Sequence, residues 1–230
     1  MIANGENAAH GRGITEAIYK EFMDMGIQAL TMGNHTFDNR DIFNFIDKAH
    51  NLLRPANMDI SVPGKGYEIF TYNDKKIAVI SLMGRTFMTP IDCPFRRFDA
   101  IYNEIKDKAH IIFVDFHAEA TSEKVAFGYY VDGRATAAVG THTHVPTADN
   151  RLLPNNTAYI TDVGMTGPLN GVIGVVKDNV IGRFINGLPT RLSPLEEGDI
   201  QFNAVIVSVD LKNNRAVGIK SINRTEKSDI

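Results

Sequence analysis

Apolar positions along the chain follow two spacings, one typical of helices and one typical of short buried strands. Residues 14–25 place apolar side chains three and four positions apart, which predicts a helix that Thr15 caps and Gly26 ends. Residues 27–32 then form a continuous apolar run of strand length. The same reading predicts further helices near 40–50, 99–108, 122–130 and 178–186, and strands near 111–114, 135–139 and 157–161.

Two pairs of β-rich runs predict antiparallel hairpins. Runs 67–70 and 76–82 flank Asn73-Asp74, and runs 204–211 and 216–222 flank Asn213-Asn214. Helices that alternate with continuous apolar strands are typical of an α/β fold with a parallel sheet. Since the chain has 230 residues, we expect one α/β domain over residues 1–230.

Composition narrows the classes of protein and partner. The formal charge is −3 and the basic residues are scattered, so the chain lacks the basic stripe that duplex nucleic acid requires. No segment approaches the ~20 apolar residues of a membrane span, and the first residues do not resemble a secretory leader. Cys93 is the single cysteine, which excludes an internal disulfide and zinc-thiolate chemistry. We expect a cytoplasmic protein.

Candidate chemistry lies in four polar clusters, at residues 4–7, 33–35, 115–117 and 140–144, and each follows an apolar run. Strands of an open α/β sheet deliver the residues at their carboxyl ends to one crevice. The clusters hold carboxylate, amide and imidazole groups, and carboxylates and imidazoles are the usual ligands of Zn, Mn and Fe. The pattern predicts a metal-dependent hydrolase.

Each cluster also has a simpler explanation. His142 and His144 would face one site if the segment is extended, but they would equally suit an exposed loop. Taken alone, His117 is more often a buried histidine, and Glu6 is more often part of a solvated turn. Structural or solvated roles are expected for the remaining candidates, His10, His50, His110 and Cys93.

Six segments taken together resemble the YmdB-like family of bacterial calcineurin-like metallophosphoesterases, and they occur in the family's order over essentially the whole chain. The segments are residues 3–9, 31–36, 54–57, 115–124, 140–145 and 161–168. The resemblance implies a four-layered α/β/β/α sandwich, 2′,3′-cyclic-nucleotide 2′-phosphodiesterase activity and a centre of two divalent metal ions, often described with iron or manganese.

The resemblance also implies a role for each matching residue. Glu6 matches a carboxylate that bridges the two metals, and His35 matches the catalytic histidine. The other implied metal ligands are Asn7, Asn34, His117, His142 and His144. On this basis we expect a metal-activated hydroxide to attack the cyclic phosphate while His35 protonates the departing 2′-oxygen, leaving a 3′-nucleotide.

One departure from the family alters these expectations. Family members open with a strand that ends in a Gly-Asp motif, and this chain begins inside the next strand. We therefore expect an N-terminally truncated sandwich that lacks the aspartate ligand, so that one metal position is weakened. We also expect exposed apolar area, which favours a homo-oligomer. The alternatives to a cyclic-nucleotide phosphodiesterase are a catalytically impaired scaffold or regulatory relative, and a broader phosphomonoesterase.

Overall fold

A computed structural model describes residues 1–227. The first part of the chain builds a small parallel sheet with strand order β1-β2-β3. Its elements are β1 (Ile2–Asn4), α1 (Glu16–Asp24), β2 (Ala29–Thr31) and β3 (Leu52–Leu53). The Thr15 side chain accepts a hydrogen bond from the Ile18 backbone N–H, which confirms the predicted cap of α1.

The middle of the chain builds a six-stranded sheet. Its strands are β4 (Tyr67–Tyr72), β5 (Lys75–Met83), β6 (Ile111–His117), β7 (Ala137–Thr141), β8 (Arg151–Leu152) and β9 (Ala158–Ile160). Their order is β4-β5-β6-β7-β9-β8, and the four inner strands run parallel while β4 and β8 form antiparallel edges. Two helices connect the inner strands, α2 (Pro94–Ile105) and α3 (Thr121–Val131).

The last part adds a three-stranded antiparallel sheet. The strands of this sheet are β10 (Gly167–Pro168), β11 (Ile200–Asp210) and β12 (Arg215–Glu226), and helix α4 (Lys177–Asn186) lies between β10 and β11 in the sequence. The long β11–β12 pair is the predicted hairpin, with Asn214 in a left-handed turn conformation. Within residues 1–227 we find no helix with both the length and the apolar character needed to cross a membrane.

Four layers result from the way these elements pack. Helix α1 contributes Ile18 and Phe22 to an apolar cluster with Leu30 of the small sheet. Helices α2 and α3 cover the outer face of the six-stranded sheet, where Phe98 and Phe127 belong to one core cluster. The facing sheets contact each other through two apolar clusters, which contain Ala29, Leu53 and Val79 on one side and Ala137, Ala158 and Ala216 on the other. The predicted α/β/β/α arrangement is confirmed.

Two predicted elements differ from the structure. The helix predicted over 40–50 is a short 3-10 helix, Arg40–Asn44, followed by turns. Here Asn39 accepts from the Asp41 N–H and Asn44 donates to the Asp41 carboxylate, so local side-chain bonds compete with a continued α-helix. Helix α2 begins at Pro94 rather than near residue 99, because proline suits the first helical position.

Candidate metal centre

The predicted site residues lie where strands of the two facing sheets end. Asn34 and His35 follow β2, and Glu6 follows β1. His117 is the last residue of β6, and His142 follows β7 directly. Because these strands are parallel within their sheets, their carboxyl ends bring residues that are far apart in sequence to one edge.

Four side chains meet around the Nε2 atom of His117. This atom lies 2.9 Å from Asn34 Oδ1, 2.9 Å from Glu6 Oε2 and 3.1 Å from His142 Nδ1. We call Glu6, Asn34, His117 and His142 the His117 cluster. The His117 and Glu6 side chains are only 2% and 1% exposed, so water does not separate these atoms.

A chain of hydrogen bonds fixes the proton of His117 on the far side of its ring. His117 Nδ1 lies 2.9 Å from Thr141 Oγ1, and the Thr141 hydroxyl donates to Asp115 Oδ1 at 2.7 Å. Since the single hydroxyl proton is directed at Asp115, Thr141 accepts from His117 Nδ1–H. When the ring is neutral, His117 Nε2 therefore carries the lone pair.

His142 has the opposite arrangement. Its Nε2 lies 3.0 Å from Glu119 Oε2, which draws the ring proton to that nitrogen and leaves Nδ1 bare. Burial and the neighbouring His117 lower the pKa of His142 to about 4, so the ring is neutral at neutral pH. Both imidazoles thus direct an unprotonated nitrogen into the His117 cluster.

Glu6 completes the case for a cation. Burial raises the pKa of Glu6, but the positive charge of a protonated His117 opposes this and the net pKa is lowered. The Glu6 carboxylate is therefore stabilised by a neighbouring cation, and a bound metal ion would supply that charge beside a neutral His117 ring. Its Oε2 atom is buried and has no hydrogen-bond partner, although it lies 2.9 Å from His117 Nε2. Buried lone pairs that face one another repel unless a positive charge lies between them. The residues present therefore fit a divalent metal ion.

The space for these atoms depends on Gly33. A Cβ atom added at Gly33 would lie 1.8 Å from Glu6 Oε2 and 2.2 Å from His117 Nε2. Any side chain at this position would displace the donor atoms. Within residues 1–227, no group of three His, Cys, Asp or Glu side chains is arranged as a ready-made metal site. Glu6, His117 and His142 would therefore hold a cation only together with the Asn34 amide.

A second, smaller group lies beside the first. Asn7 Nδ2 is 3.1 Å from His144 Nε2, and His144 Nδ1 is 3.0 Å from the Ile173 carbonyl oxygen. Asn7 Oδ1 is buried without a hydrogen-bond partner. We call these two residues the Asn7–His144 pair. The structure thus divides the six predicted metal ligands into a group of four and a group of two.

The segment that carries His142 and His144 is not extended, contrary to the expectation from their spacing. His142 has φ of 102° and His144 has φ of 67°, both in the left-handed region. The two rings accordingly contact different partners instead of facing the same way. Strain of this kind persists only where the surroundings fix the backbone.

A buried ion pair fixes that backbone. Lys124 Nζ donates to Asp162 Oδ2 at 2.6 Å and to the Thr141 carbonyl at 2.7 Å, and both charged side chains are 1% exposed. Asp162 Oδ2 also accepts from the Thr143 N–H at 3.0 Å. The Lys124–Asp162 pair therefore holds the backbone on both sides of His142.

His35, the predicted catalytic residue, has its own carboxylate partner. His35 Nδ1 lies 2.8 Å from Asp38 Oδ2, and the ring is 26% exposed. His35 lines the same cleft as Glu6 and His117, a cavity of about 2640 Å³ between the sheets. Because Nδ1 is bonded to Asp38, Nε2 is the ring nitrogen that is available to a substrate.

Sequence reasoning missed the residues that orient the predicted ligands. These are Asp38, Asp115, Glu119, Lys124, Thr141 and Asp162. Asp115, Thr141 and Glu119 lie within two residues of a predicted ligand in sequence, so proximity to the clusters was the available signal. No pattern in the sequence indicated Lys124, because it lies on helix α3 and contacts the site only in the folded chain.

The chain matches known proteins over nearly its full length. A family model described as "YmdB-like protein" matches residues 1–222. The 2′,3′-cyclic-nucleotide 2′-phosphodiesterase of Bacillus subtilis (strain 168) is 52% identical over 221 residues, which cover 96% of this chain and 83% of that protein.

Two crystal structures are also similar. A hypothetical protein from Thermus thermophilus has a TM-score of 0.92 and 38% sequence identity, and the match covers 98% of this chain and 87% of that protein's chain. A structure described as a novel phosphatase from Mycoplasma pneumoniae has a TM-score of 0.90 and 36% identity, with coverage of 99% and 83%. The fold is therefore shared with these proteins over almost all of this chain.

Proposed function

The chain belongs to the YmdB-like family, and from that premise we propose that it is a metal-dependent phosphodiesterase that hydrolyses 2′,3′-cyclic nucleotides to 3′-nucleotides. The observation that carries this proposal is the convergence of Glu6 Oε2, Asn34 Oδ1 and His142 Nδ1 on His117 Nε2. The name of the Bacillus subtilis relative supports the class of substrate.

Two divalent cations would be held by the six ligands. The His117 cluster would hold one, and the Asn7–His144 pair, together with Glu6, would hold the other. Mixed imidazole, amide and carboxylate donors suit iron or manganese, which we expect here. When bound, such ions supply positive charge to a phosphate oxygen and lower the pKa of a water molecule. Because four donors meet at one position and two at the other, we expect one tight and one weak binding event in a metal titration.

His35 would provide the proton that completes the reaction. Asp38 holds the ring through Nδ1, and His35 lines the cleft, so Nε2 is the nitrogen that would donate a proton to substrate. Water releases one proton to solvent as its oxygen forms a bond to phosphorus. The bond from phosphorus to the 2′-oxygen breaks, and His35 Nε2–H protonates that 2′-oxygen. The product is a 3′-phosphate with a free 2′-hydroxyl.

Further features support a small-molecule substrate. Glu6, His35 and His117 line one concave cleft, as is usual for a small-molecule site. The net charge of −3 does not favour duplex nucleic acid. We further propose that the chain forms one domain and acts in the cytoplasm.

The proposal is tested by replacing His35 in the manganese-loaded protein. His35→Ala should lower kcat for 2′,3′-cyclic AMP by about 10²–10⁴-fold, the usual range for general acid catalysis, without changing the amount of bound metal. His50→Ala, an exposed histidine, is the matched control. Full turnover by His35→Ala, or formation of a 2′-nucleotide, would contradict the proposed role.

A broader phosphomonoesterase is the second candidate, favoured by the description of the Mycoplasma pneumoniae structure as a phosphatase. Turnover of 2′,3′-cyclic AMP and of 4-nitrophenyl phosphate should be compared at equal metal loading. A higher kcat/KM for the monoester would support this candidate. No turnover of either by the loaded protein would instead support a catalytically silent scaffold.

A further inference from the structure

The loop over residues 84–92, which we call the Phe87 loop, borders the candidate metal centre. It follows β5, whose last residue, Met83, pairs in register with His117. The Gly84 N–H donates to the His117 carbonyl at 2.9 Å. Two residues before Met83, the Ser81 hydroxyl donates to the Met32 carbonyl. Met32 lies three residues before His35, the proposed general acid. The loop therefore begins between His117 and His35.

Phe87 is unusual in two independent ways. Its side chain is 90% exposed, so the ring gains no burial within the chain. Its φ is 61°, in the left-handed region, where a bulky residue is a rare outlier. An exposed aromatic ring on a strained backbone stabilises nothing in the free protein, and such outliers cluster at ligand-binding sites.

The backbone around Phe87 is fixed at both ends of the loop. The Glu123 carboxylate accepts from the Arg85 N–H at 3.0 and 3.1 Å and from the Thr86 N–H at 3.0 Å. The Asn57 side chain donates to the Met83 carbonyl at 2.7 Å and to the Asp92 carbonyl at 2.9 Å. A ring presented from a fixed backbone loses little conformational freedom when a ligand binds.

Residues 84–92 lie outside the lining of the cleft, so the Phe87 ring would meet a base that extends beyond the rim of the cleft. Phe87 follows Gly84 by three positions, a stretch that can span at most about 11 Å, and Gly84 is bonded directly to the strand end of His117. We infer that Phe87 stacks against the nucleobase of a cyclic nucleotide whose phosphate lies at the His117 cluster. This inference rests on the proposed function and adds to it how the substrate is recognised.

Stacking has a consequence for specificity. Every nucleobase has a flat π face, so a single aromatic ring binds purines and pyrimidines without reading their edges. Phe87 should therefore distinguish nucleotides from cyclic phosphodiesters that lack a base, and it should distinguish weakly among the four bases.

The first test uses tryptophan fluorescence, because the chain contains no tryptophan. Phe87→Trp places one reporter at the proposed contact in the manganese-loaded protein. Adenosine 3′-monophosphate should quench its emission with saturation, because the indole stacks on adenine. Tyr129→Trp is the matched control, since Tyr129 is 53% exposed but lies near the end of α3, outside the lining of the cleft. Its emission should not respond.

The second test measures discrimination. Phe87→Ala should lower the preference in kcat/KM for 2′,3′-cyclic AMP over glycerol 1,2-cyclic phosphate by about tenfold, within the range that loss of one stacked base causes. The loss should appear in KM rather than kcat, and Phe87→Tyr should retain the preference. An unchanged preference in Phe87→Ala, together with unquenched Phe87→Trp, would overturn the inference while the proposed function stands.

The two proposals fail in distinguishable ways. If the wild-type protein hydrolyses no cyclic nucleotide, the proposed function fails and the Phe87→Trp titration alone decides the inference. Saturable quenching would then still support a nucleobase site at Phe87, and its absence would overturn that site.

Discussion

Thr141→Val would interrupt the hydrogen-bond chain that sets the proton position of His117. Valine keeps the shape of threonine but lacks the hydroxyl, which accepts from His117 Nδ1 and donates to Asp115 at 2.7 Å. Without it, the ring has no partner on its far side and its unprotonated nitrogen is no longer fixed toward Glu6. The variant therefore removes the orientation of a metal ligand and leaves every ligand in place.

The expected magnitude follows from the two bonds lost. A buried N–H left without a partner costs about 1–3 kcal/mol of folding stability. Loss of a group that orients a metal-bound histidine typically lowers metal affinity about 10–100-fold, which corresponds to about 1.4–2.7 kcal/mol. The tight manganese binding event should weaken by this factor.

The assay is competition between the protein and a chelator for Mn²⁺, with stability measured separately by urea denaturation without metal. Thr141→Ser keeps the hydroxyl and should bind Mn²⁺ as the wild type does. Thr136→Val is the control, because the buried Thr136 hydroxyl accepts from the Ile112 N–H at the opposite end of the sheet. It should lose stability without losing Mn²⁺ affinity. Unchanged affinity in Thr141→Val would refute the reasoning.

Three further predictions concern the glycine beside the ligands, the buried ion pair and a carboxylate near the last strands. Gly33→Ala should abolish tight Mn²⁺ binding while far-UV circular dichroism is unchanged, because its methyl would overlap the Glu6 carboxylate; normal binding would contradict this. Lys124→Met should lower the free energy of unfolding in urea by about 3–5 kcal/mol, because it leaves the Asp162 carboxylate buried and unpaired. Lys20→Met, at the exposed lysine of α1, should have no measurable effect. Burial raises the pKa of Asp149, but hydrogen bonds from two threonines outweigh it and the net pKa is lowered. Its contribution to stability is therefore complete above the unfolded pKa of about 3.9 and is lost as pH falls through the folded pKa, so Asp149→Asn should lose less stability on acidification than the wild type.

Much of the fold was predictable because its helices and strands are locally encoded. The 14–25 stripe with Thr15 indicated α1, and the asparagine-bearing turns indicated both long hairpins. The very short strands, such as Leu52–Leu53 and Gly167–Pro168, were not predicted. Two residues carry no periodicity, so only pairing with distant strands defines such elements.

The candidate site was predicted as a set of residues but not as a geometry. Polar clusters after apolar runs identified Glu6, Asn34, His117 and His142, since parallel strands end at one edge. The sequence did not reveal that His142 and His144 turn away from each other, because that depends on left-handed backbone held by the Lys124–Asp162 pair. Long-range contacts of this kind leave no local pattern. The extent of the domain and the roles of the ligands stay predictions.

The most direct test is a crystal structure of the manganese-loaded protein with anomalous scattering recorded at the manganese edge. We predict a strong anomalous peak about 2.0–2.3 Å from Glu6 Oε2, His117 Nε2 and His142 Nδ1, and a weaker peak near the Asn7–His144 pair. A loaded protein whose only peaks lie beyond coordination distance of His117 Nε2 would show that the His117 cluster is not a metal centre.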